Sequence, residues 1–144
     1  MLQNIKINVK YLVTGSAGFI GYHLVKRLLK NDKNFIFAID KKKLYLKHKN
    51  LKIITKNINN LKKFPEVDIV FHLAAFNGTK YFYSKPLEVI DQNLLSTLNL
   101  IKYYKKKKLL KFITAGSSEA YAGAQIIKKN NNISHNETEP ITFQ

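Results

Sequence analysis

Residues 14–21 read Thr-Gly-Ser-Ala-Gly-Phe-Ile-Gly and begin at the end of a predicted strand, residues 10–14. Gly15 allows a tight turn off the strand, and Gly18 leaves room for a pyrophosphate to approach the backbone. Gly21 lets the helix that follows pack closely on the sheet. Because phosphates bind at the positive N-terminus of a helix, the pattern predicts a dinucleotide-binding turn.

An acidic residue in the expected place supports this interpretation. Asp40 ends the next apolar run, residues 35–39. A carboxylate there would accept hydrogen bonds from the adenosine ribose hydroxyls and would repel a 2′-phosphate, which favours NAD over NADP. The alternative stays open, because Lys41–Lys43 follow directly and a lysine beside the ribose could accept that phosphate.

Strand-like and helix-like segments alternate along the chain, which predicts an α/β fold of the Rossmann type. We expect one domain over residues 1–144, with a doubly wound parallel sheet in the order 3-2-1-4-5. The predicted strands are residues 10–14, 35–39, 51–55, 67–75 and 109–114, and the predicted helices are residues 18–30 and a segment with the apolar stripe Leu87, Ile90, Leu94, Leu98 and Ile101.

Composition excludes several classes of protein. The chain has no cysteine, which excludes disulfides and thiolate metal sites, and its 4 histidines lack metal-ligand spacing. Arg27 is the only arginine behind a net charge of +16, so the charge indicates a lysine-rich solvated surface and no nucleic-acid site. No apolar run is long enough for a membrane span, and the start lacks the apolar core of a signal peptide. We therefore expect a cytoplasmic protein.

Four motifs together resemble the extended short-chain dehydrogenases/reductases, the NAD-dependent epimerase/dehydratase family. Residues 14–21 resemble its TGxxGFIG fingerprint, and residues 68–75 resemble its strand D-x-V-x-H-L-A-A. Asn93 and Thr97, followed by residues 98–100, resemble its helix motif N-x-x-G-T-x-N-L, and residues 111–123 resemble F-x-x-x-S-S-x-E-V-Y-G. The motifs follow the family's order over nearly the whole chain.

The resemblance implies a set of cofactor-binding residues. The glycine turn would hold the pyrophosphate, the segment after the third strand would lie near the adenine, and the end of the fourth strand would lie along the cofactor. Asparagine replaces the aspartate that the family often has near the adenine, but its carbonyl can still accept from the adenine amino group. The residues are Gly15, Gly18, Phe19, Ile20 and Gly21, then Asn57 and Ile58, then Leu73, Ala74 and Ala75, with Asn93 on the following helix and Asp40 as above.

The resemblance also implies catalytic residues and a reaction. Ser117, with Ser118 as the second choice, would polarise a hydroxyl or carbonyl group of the substrate. Glu119 matches an acid that some sugar dehydratases use for proton transfer, although an ordinary exposed acid is an equal alternative. The implied chemistry is reversible hydride transfer between NAD and a nucleotide sugar, giving epimerisation or dehydration.

One expected motif does not follow the serine segment. The family's catalytic Tyr and Lys, in the pattern YxxxK, lie further along its chain than the counterpart of Gln144. We therefore expect the cofactor-binding half of such an enzyme, truncated after about five strands, inactive alone, and paired with a downstream fragment or a second copy. A non-catalytic dinucleotide-binding protein or a gene fragment is the alternative. Earlier YxxxK matches begin at Tyr22, Tyr45, Tyr81, Tyr103 and Tyr104, and we interpret them as chance matches.

Overall fold

The computed structural model describes residues 8–116. The chain divides into two compact units, residues 1–114 and 115–144, and every helix and strand described here belongs to the first. The strands are β1 (Lys10–Thr14), β2 (Phe35–Asp40), β3 (Leu51–Thr55), β4 (Ile69–His72) and β5 (Lys111–Thr114). The helices are α1 (Phe19–Leu28), α2 (Thr79–Ser84) and α3 (Pro86–Tyr104), with a 3-10 turn at Ile58–Asn60.

The five strands form one parallel sheet in the order β3-β2-β1-β4-β5, which confirms the predicted topology. Thr14 at the end of β1 lies opposite Ile39 of β2 and His72 of β4. The carboxyl ends of the three central strands therefore meet at one edge. The chain reverses its winding direction between β1 and β4, where open α/β sheets place their ligands.

Alternate residues of β1 supply two separate apolar cores, one on each face of the sheet. Val13 packs with Val25 of α1 and Ile36 of β2 on one face. Leu12 packs on the other face with Val70 of β4 and Leu100 of α3. Helices thus cover both faces of the central strands, as a doubly wound sheet requires.

The apolar stripe predicted on α3 turns out not to face the sheet. Leu87 is 76% exposed and Leu94 is 54% exposed. The buried residues are Ser96, Leu100 and Tyr104, spaced four apart on the opposite side of the helix. The sequence pattern does not indicate this buried face, because two of its three residues are a serine and a tyrosine. Tyr104 can be buried because its hydroxyl donates to the Pro65 carbonyl at 2.6 Å.

The element bounds differ from expectation mainly around β4, which is shorter than predicted. It ends at His72 because side-chain oxygens of Thr14 and Asn93, and not a neighbouring strand, accept from the amides of Ala74 and Phe76. The sequence pattern also gave no sign of the short helix α2. Within residues 8–116, no helix is long and apolar enough to cross a membrane.

Candidate functional site

The glycine turn after β1 is fixed by close backbone contacts. Gly15 has φ +69°, a conformation that side chains other than glycine rarely adopt. A Cβ at Gly15 would lie 2.7 Å from the backbone nitrogen of Ala74, so the segment after β4 packs directly on the turn. A Cβ at Gly21 would collide with the carbonyl oxygen of Gly15, so α1 packs on the turn from the other side.

The start of α1 is open to an anion. Gly18 is the N-cap, and a Cβ there would meet only the Gly15 carbonyl oxygen at 3.2 Å. No side chain caps the helix, and its first turn holds no acidic residue. Its first backbone N–H groups and its positive dipole end are therefore available to a phosphate group.

Asp40 holds the glycine turn as well as facing the site. Its Oδ2 accepts from the backbone N–H of Ala17 at 2.9 Å, and its Oδ1 accepts from the backbone N–H of Lys42 at 2.8 Å. Each carboxylate oxygen has a second lone pair and can accept one further hydrogen bond. Asp40 can therefore bind hydroxyl groups of a ligand while it fixes the backbone on two sides.

The segment after β4, residues 73–76, is named here the β4 exit loop. The Ala74 N–H donates to Thr14 Oγ1 at 3.2 Å. The Phe76 N–H donates to Asn93 Oδ1 at 2.6 Å, and Asn93 Nδ2 donates back to the Phe76 carbonyl at 3.2 Å. The Leu73 N–H also donates to the Thr14 carbonyl at 3.2 Å. The loop is therefore anchored to Thr14 of β1 at its start and to Asn93 of α3 at its end.

A buried histidine lies between these two anchors. His72 is 3% exposed, with Nδ1 2.8 Å from Thr14 Oγ1 and Nε2 3.1 Å from Thr97 Oγ1. Burial lowers the pKa of His72 from its usual value of 6.5, because the charged imidazolium would lose its hydration. The imidazole is therefore neutral at physiological pH.

These loops enclose a cavity of about 350 Å³ at the carboxyl edge of the sheet. Phe19 and Ile20 do not line it, since they begin α1 with side chains 82% and 65% exposed, and Gly21 is buried behind the turn. Their part in cofactor binding stays a prediction. The cavity brings together most of the other residues predicted from the sequence: Gly15, Gly18, Asp40, Asn57, Ile58, Leu73, Ala74, Ala75 and Asn93.

The cavity also contains residues that the motifs do not indicate. Lys41 places its Nζ 5.1 Å from the centroid of the Phe76 ring, which joins the loops after β2 and β4. Asn59 Nδ2 donates to Gln92 Oε1 at 3.0 Å and so joins the 3-10 turn to α3. One general signal could have found Lys41, Asn59 and Phe76, because each follows the carboxyl end of a parallel strand.

Ser117, Ser118 and Glu119 lie outside the described residues, as does Tyr121. Of the five tyrosines that begin the earlier YxxxK matches, only Tyr81 lines the cavity. Its ring packs against Phe76 with the centroids 4.9 Å apart. Lys85, the lysine of that match, pairs with Glu88 at 3.0 Å.

A glycine turn, an uncapped helix N-terminus and an acid at the end of β2 together define a dinucleotide-binding α/β protein. The sequence model of the NAD dependent epimerase/dehydratase family matches residues 11–142. The chain therefore belongs to that family, as its sequence motifs predict. The cofactor of this family is NAD, which confirms the cofactor that the sequence predicts.

Three similar proteins are enzymes of nucleotide sugars. UDP-glucuronic acid decarboxylase 6 of Arabidopsis thaliana is 33% identical over 122 residues, which cover 79% of this chain and 35% of that protein. The structure of UDP-N-acetylglucosamine 4-epimerase from Methanobrevibacter ruminantium, in complex with UDP-N-acetylmuramic acid, matches with a TM-score of 0.76 and 29% identity over 94% of this chain and 44% of that one. UDP-glucuronic acid 4-epimerase from Bacillus cereus, in complex with UDP-glucuronic acid and NAD, matches with a TM-score of 0.74 and 27% identity over 92% and 46%. The chain thus spans less than half the length of these proteins.

Proposed function

We propose that residues 1–144 form the NAD-binding part of a nucleotide-sugar epimerase or dehydratase. The observation that carries the proposal is the cavity itself, where the glycine turn and the Asp40 carboxylate face one space. The Bacillus cereus epimerase, which has the same fold, was crystallised with NAD and a nucleotide sugar. NAD, when bound, supplies a carbon that accepts a hydride from the sugar and returns it.

The residues of the cavity fit a dinucleotide of this kind. The open start of α1 at Gly18 offers backbone N–H groups to the pyrophosphate. Asp40 offers its remaining lone pairs to the ribose hydroxyls of the adenosine. Asn57 and Ile58 line the cavity beyond β3, on the side where the adenine would lie.

We expect tighter binding of NAD than of NADP. A 2′-phosphate beside Asp40 would bring two like charges together, which costs several kcal/mol, so we expect NAD to bind at least ~10-fold more tightly. Lys41 and Lys42 also line the cavity and oppose this effect. Titration calorimetry of residues 1–144 with both cofactors measures the ratio.

Asp40→Asn tests the cause of that preference. The substitution removes the charge and retains one oxygen that can accept from Ala17, while the new NH2 group cannot accept from Lys42. The NAD/NADP ratio should fall towards one. Asp32→Asn is the matched control, because Asp32 is an exposed acid in the turn after α1. Equal or tighter binding of NADP by the unmodified chain would overturn the argument from Asp40 and assign the site to Lys41 and Lys42.

For the reaction we propose Ser117, with Ser118 second, as the group that polarises the substrate, and Glu119 as a proton-transfer group. We also propose that residues 1–144 by themselves do not catalyse the conversion of any nucleotide sugar. General acid–base catalysis by a tyrosine contributes typically ~10²–10⁴-fold, and in this family the tyrosine belongs to a YxxxK motif after the serine segment.

The test is an assay of residues 1–144 with UDP-sugars, repeated with added polypeptide that supplies the YxxxK motif. Activity only after the addition would support the proposal. Activity of the 144 residues alone would contradict it, and Tyr81→Phe would then show whether Tyr81, which lines the cavity, is responsible. NAD binding without activity in either case would indicate a dinucleotide-binding protein without a catalytic role.

A further inference from the structure

The two anchors of the β4 exit loop meet at His72. Thr14 Oγ1, which accepts from the Ala74 N–H, lies 2.8 Å from Nδ1 of the imidazole. Thr97 Oγ1 lies 3.1 Å from Nε2, one helical turn after Asn93, which holds Phe76. One side chain on β4 therefore bridges the residues that fix both ends of the loop.

We assign the proton positions in this network from the partners of each group. The Thr97 hydroxyl has one proton, and it donates that proton to the carbonyl oxygen of Asn93 at 3.0 Å. Its oxygen is left to accept, so Nε2 of His72 carries a proton and donates it to Thr97. In a neutral imidazole Nδ1 is then an acceptor, and it receives the Thr14 hydroxyl proton.

With the proton on Nε2, the hydrogen bonds of this chain run in one direction. The Ala74 N–H donates to Thr14, and Thr97 donates to the backbone of α3. Between them, Thr14 would donate to Nδ1 of His72, and Nε2 would donate to Thr97. Ser96, 3% exposed, directs its own hydroxyl to the same carbonyl of Asn93 at 3.0 Å. Hydrogen bonds linked in this way polarise one another and act as a unit.

We propose that His72 is a positioning residue, which couples the β1 anchor of the β4 exit loop to its α3 anchor and thereby sets the loop against the cofactor. The proposal rests on the proposed function only for the identity of the ligand, because all four residues of the loop line the cavity. Loss of either hydroxyl group should loosen the distant anchor as well as the near one.

The surroundings of the ring suit this role. The hydroxyls of Thr14 from β1 and of Ser96 and Thr97 from α3 face the nitrogens, and the Phe112 ring of β5 lies 6.3 Å away. Among the described residues, no charged group contributes to the lowered pKa of His72, whose cause is burial alone. The imidazole is thus held by neutral hydroxyl groups of β1 and α3 and faces an apolar ring of β5.

Amide hydrogen exchange in Thr14→Val and Thr97→Val tests the coupling. Thr14→Val removes the acceptor of Ala74 and leaves Asn93 in place. We expect the Phe76 amide to exchange ~2–10-fold faster, as well as Ala74, since a net hydrogen bond contributes about 0.5–1.5 kcal/mol. In Thr97→Val, the amide of Ala74 should exchange faster by a factor in the same range. Thr14→Ser and Thr97→Ser retain the hydroxyls and should restore the slower rates.

The Val70 amide, in the middle of β4, serves as the reference for global opening. The proposal is supported if the amides of Ala74 and Phe76 exchange faster relative to that of Val70 in both valine variants. Acceleration confined to the nearer anchor, or an equal rise that includes Val70, overturns it. Nitrogen chemical shifts of His72 provide a second measurement, and a proton on Nδ1 instead of Nε2 would also overturn it.

Titration with NAD separates this proposal from the proposed function. We expect the dissociation constant to rise ~2–10-fold in each valine variant and to recover in each serine variant. If the unmodified chain binds no NAD, the proposed function fails, while the exchange rates still decide the coupling. If NAD binds equally to all variants, the loop does not depend on the network for its position against the cofactor, and the proposal fails.

Discussion

The glycine turn and the β4 exit loop line the same cavity, but their positions have opposite physical causes. Besides the hydrogen bond from Ala17 to Asp40, the turn depends on close backbone packing, since a Cβ at Gly15 or Gly21 would enter neighbouring backbone. The exit loop depends on side chains that are present, since Thr14 and Asn93 hold its amides. The two segments touch, because Gly15 packs against the backbone of Leu73 and Ala74. The cofactor site is therefore built by close packing on one side and by hydrogen bonds on the other.

The largest expected effect is that of adding one methyl group to the turn at Gly21. In a helix interior, Gly→Ala ordinarily stabilises a protein by about 1 kcal/mol. At Gly21 the new Cβ would meet the Gly15 carbonyl and would lie 2.9 Å from the Ser16 Cα, so backbone must move. We expect Gly21→Ala to lower the free energy of unfolding by about 3 kcal/mol, measured by urea unfolding.

Gly18→Ala is the matched control for that measurement. Its Cβ would meet only the Gly15 carbonyl oxygen at 3.2 Å, so we expect a change within about 1 kcal/mol. Equal stability of the two variants would show that close packing does not position the turn.

A larger side chain at Gly18 should separate binding from folding. The backbone at Gly18 is extended, with φ −76° and ψ 169°, a conformation that valine adopts readily. We expect Gly18→Val to remain folded but to lose detectable NAD binding, because the side chain would occupy the space for the pyrophosphate. Calorimetry with NAD, beside a thermal unfolding curve, checks both parts. Binding at the level of the unmodified chain would exclude the pyrophosphate from this position.

The same contrast explains what could be predicted from the sequence. Glycine spacing is a local pattern, so residues 14–21 predict the turn and the helix that follows it. Short segments of strand length likewise predict β1 and β3 to the residue. These features depend on neighbours within a few positions along the chain, whereas the strand order was predicted from the alternation of strand-like and helix-like segments and the fold class that it indicates.

Long-range hydrogen bonds left no local pattern. Asn93 holds a loop 17 residues earlier, and Thr14 holds an amide 60 residues later. The end of β4 was therefore predicted too late, and Asn93 was assigned to the cofactor by resemblance without its role in holding Phe76. The sequence pattern does not predict the buried face of α3 for a similar reason. The buried hydroxyl groups of Ser96 and Tyr104 have hydrogen-bond partners that are distant along the chain.

A moderate effect is expected when the anchor on α3 is removed. Asn93→Ala would leave the Phe76 N–H and carbonyl without their partners, and a partly buried polar group without a partner costs about 1–3 kcal/mol. Asn93→Asp keeps an acceptor for the N–H and should lose less. Urea unfolding and NAD titration measure the two consequences. Asn99→Ala, on the same helix, is the control, and an equal loss in both alanine variants would rule out a specific anchor.

The smallest expected effect is a pH dependence of stability from His72. Its pKa in the folded chain is below 6.5, because burial disfavours the imidazolium. As the pH falls through about 6.5, the unfolded chain takes up a proton at this position before the folded chain does. Stability is therefore complete above pH 6.5 and decreases below it by up to ~1.4 kcal/mol per pH unit, until the pH reaches the lowered pKa of the folded state.

Urea unfolding of the unmodified chain and of His72→Asn, between about pH 5 and 7.5, isolates this contribution. The asparagine variant has no titrating group at residue 72, so the difference between the two free energies should shrink as the pH falls. His23→Asn is the control for replacing a histidine by asparagine, because His23 is exposed on α1. Parallel curves for the unmodified chain and His72→Asn would mean that His72 accepts a proton equally well in the folded and unfolded states.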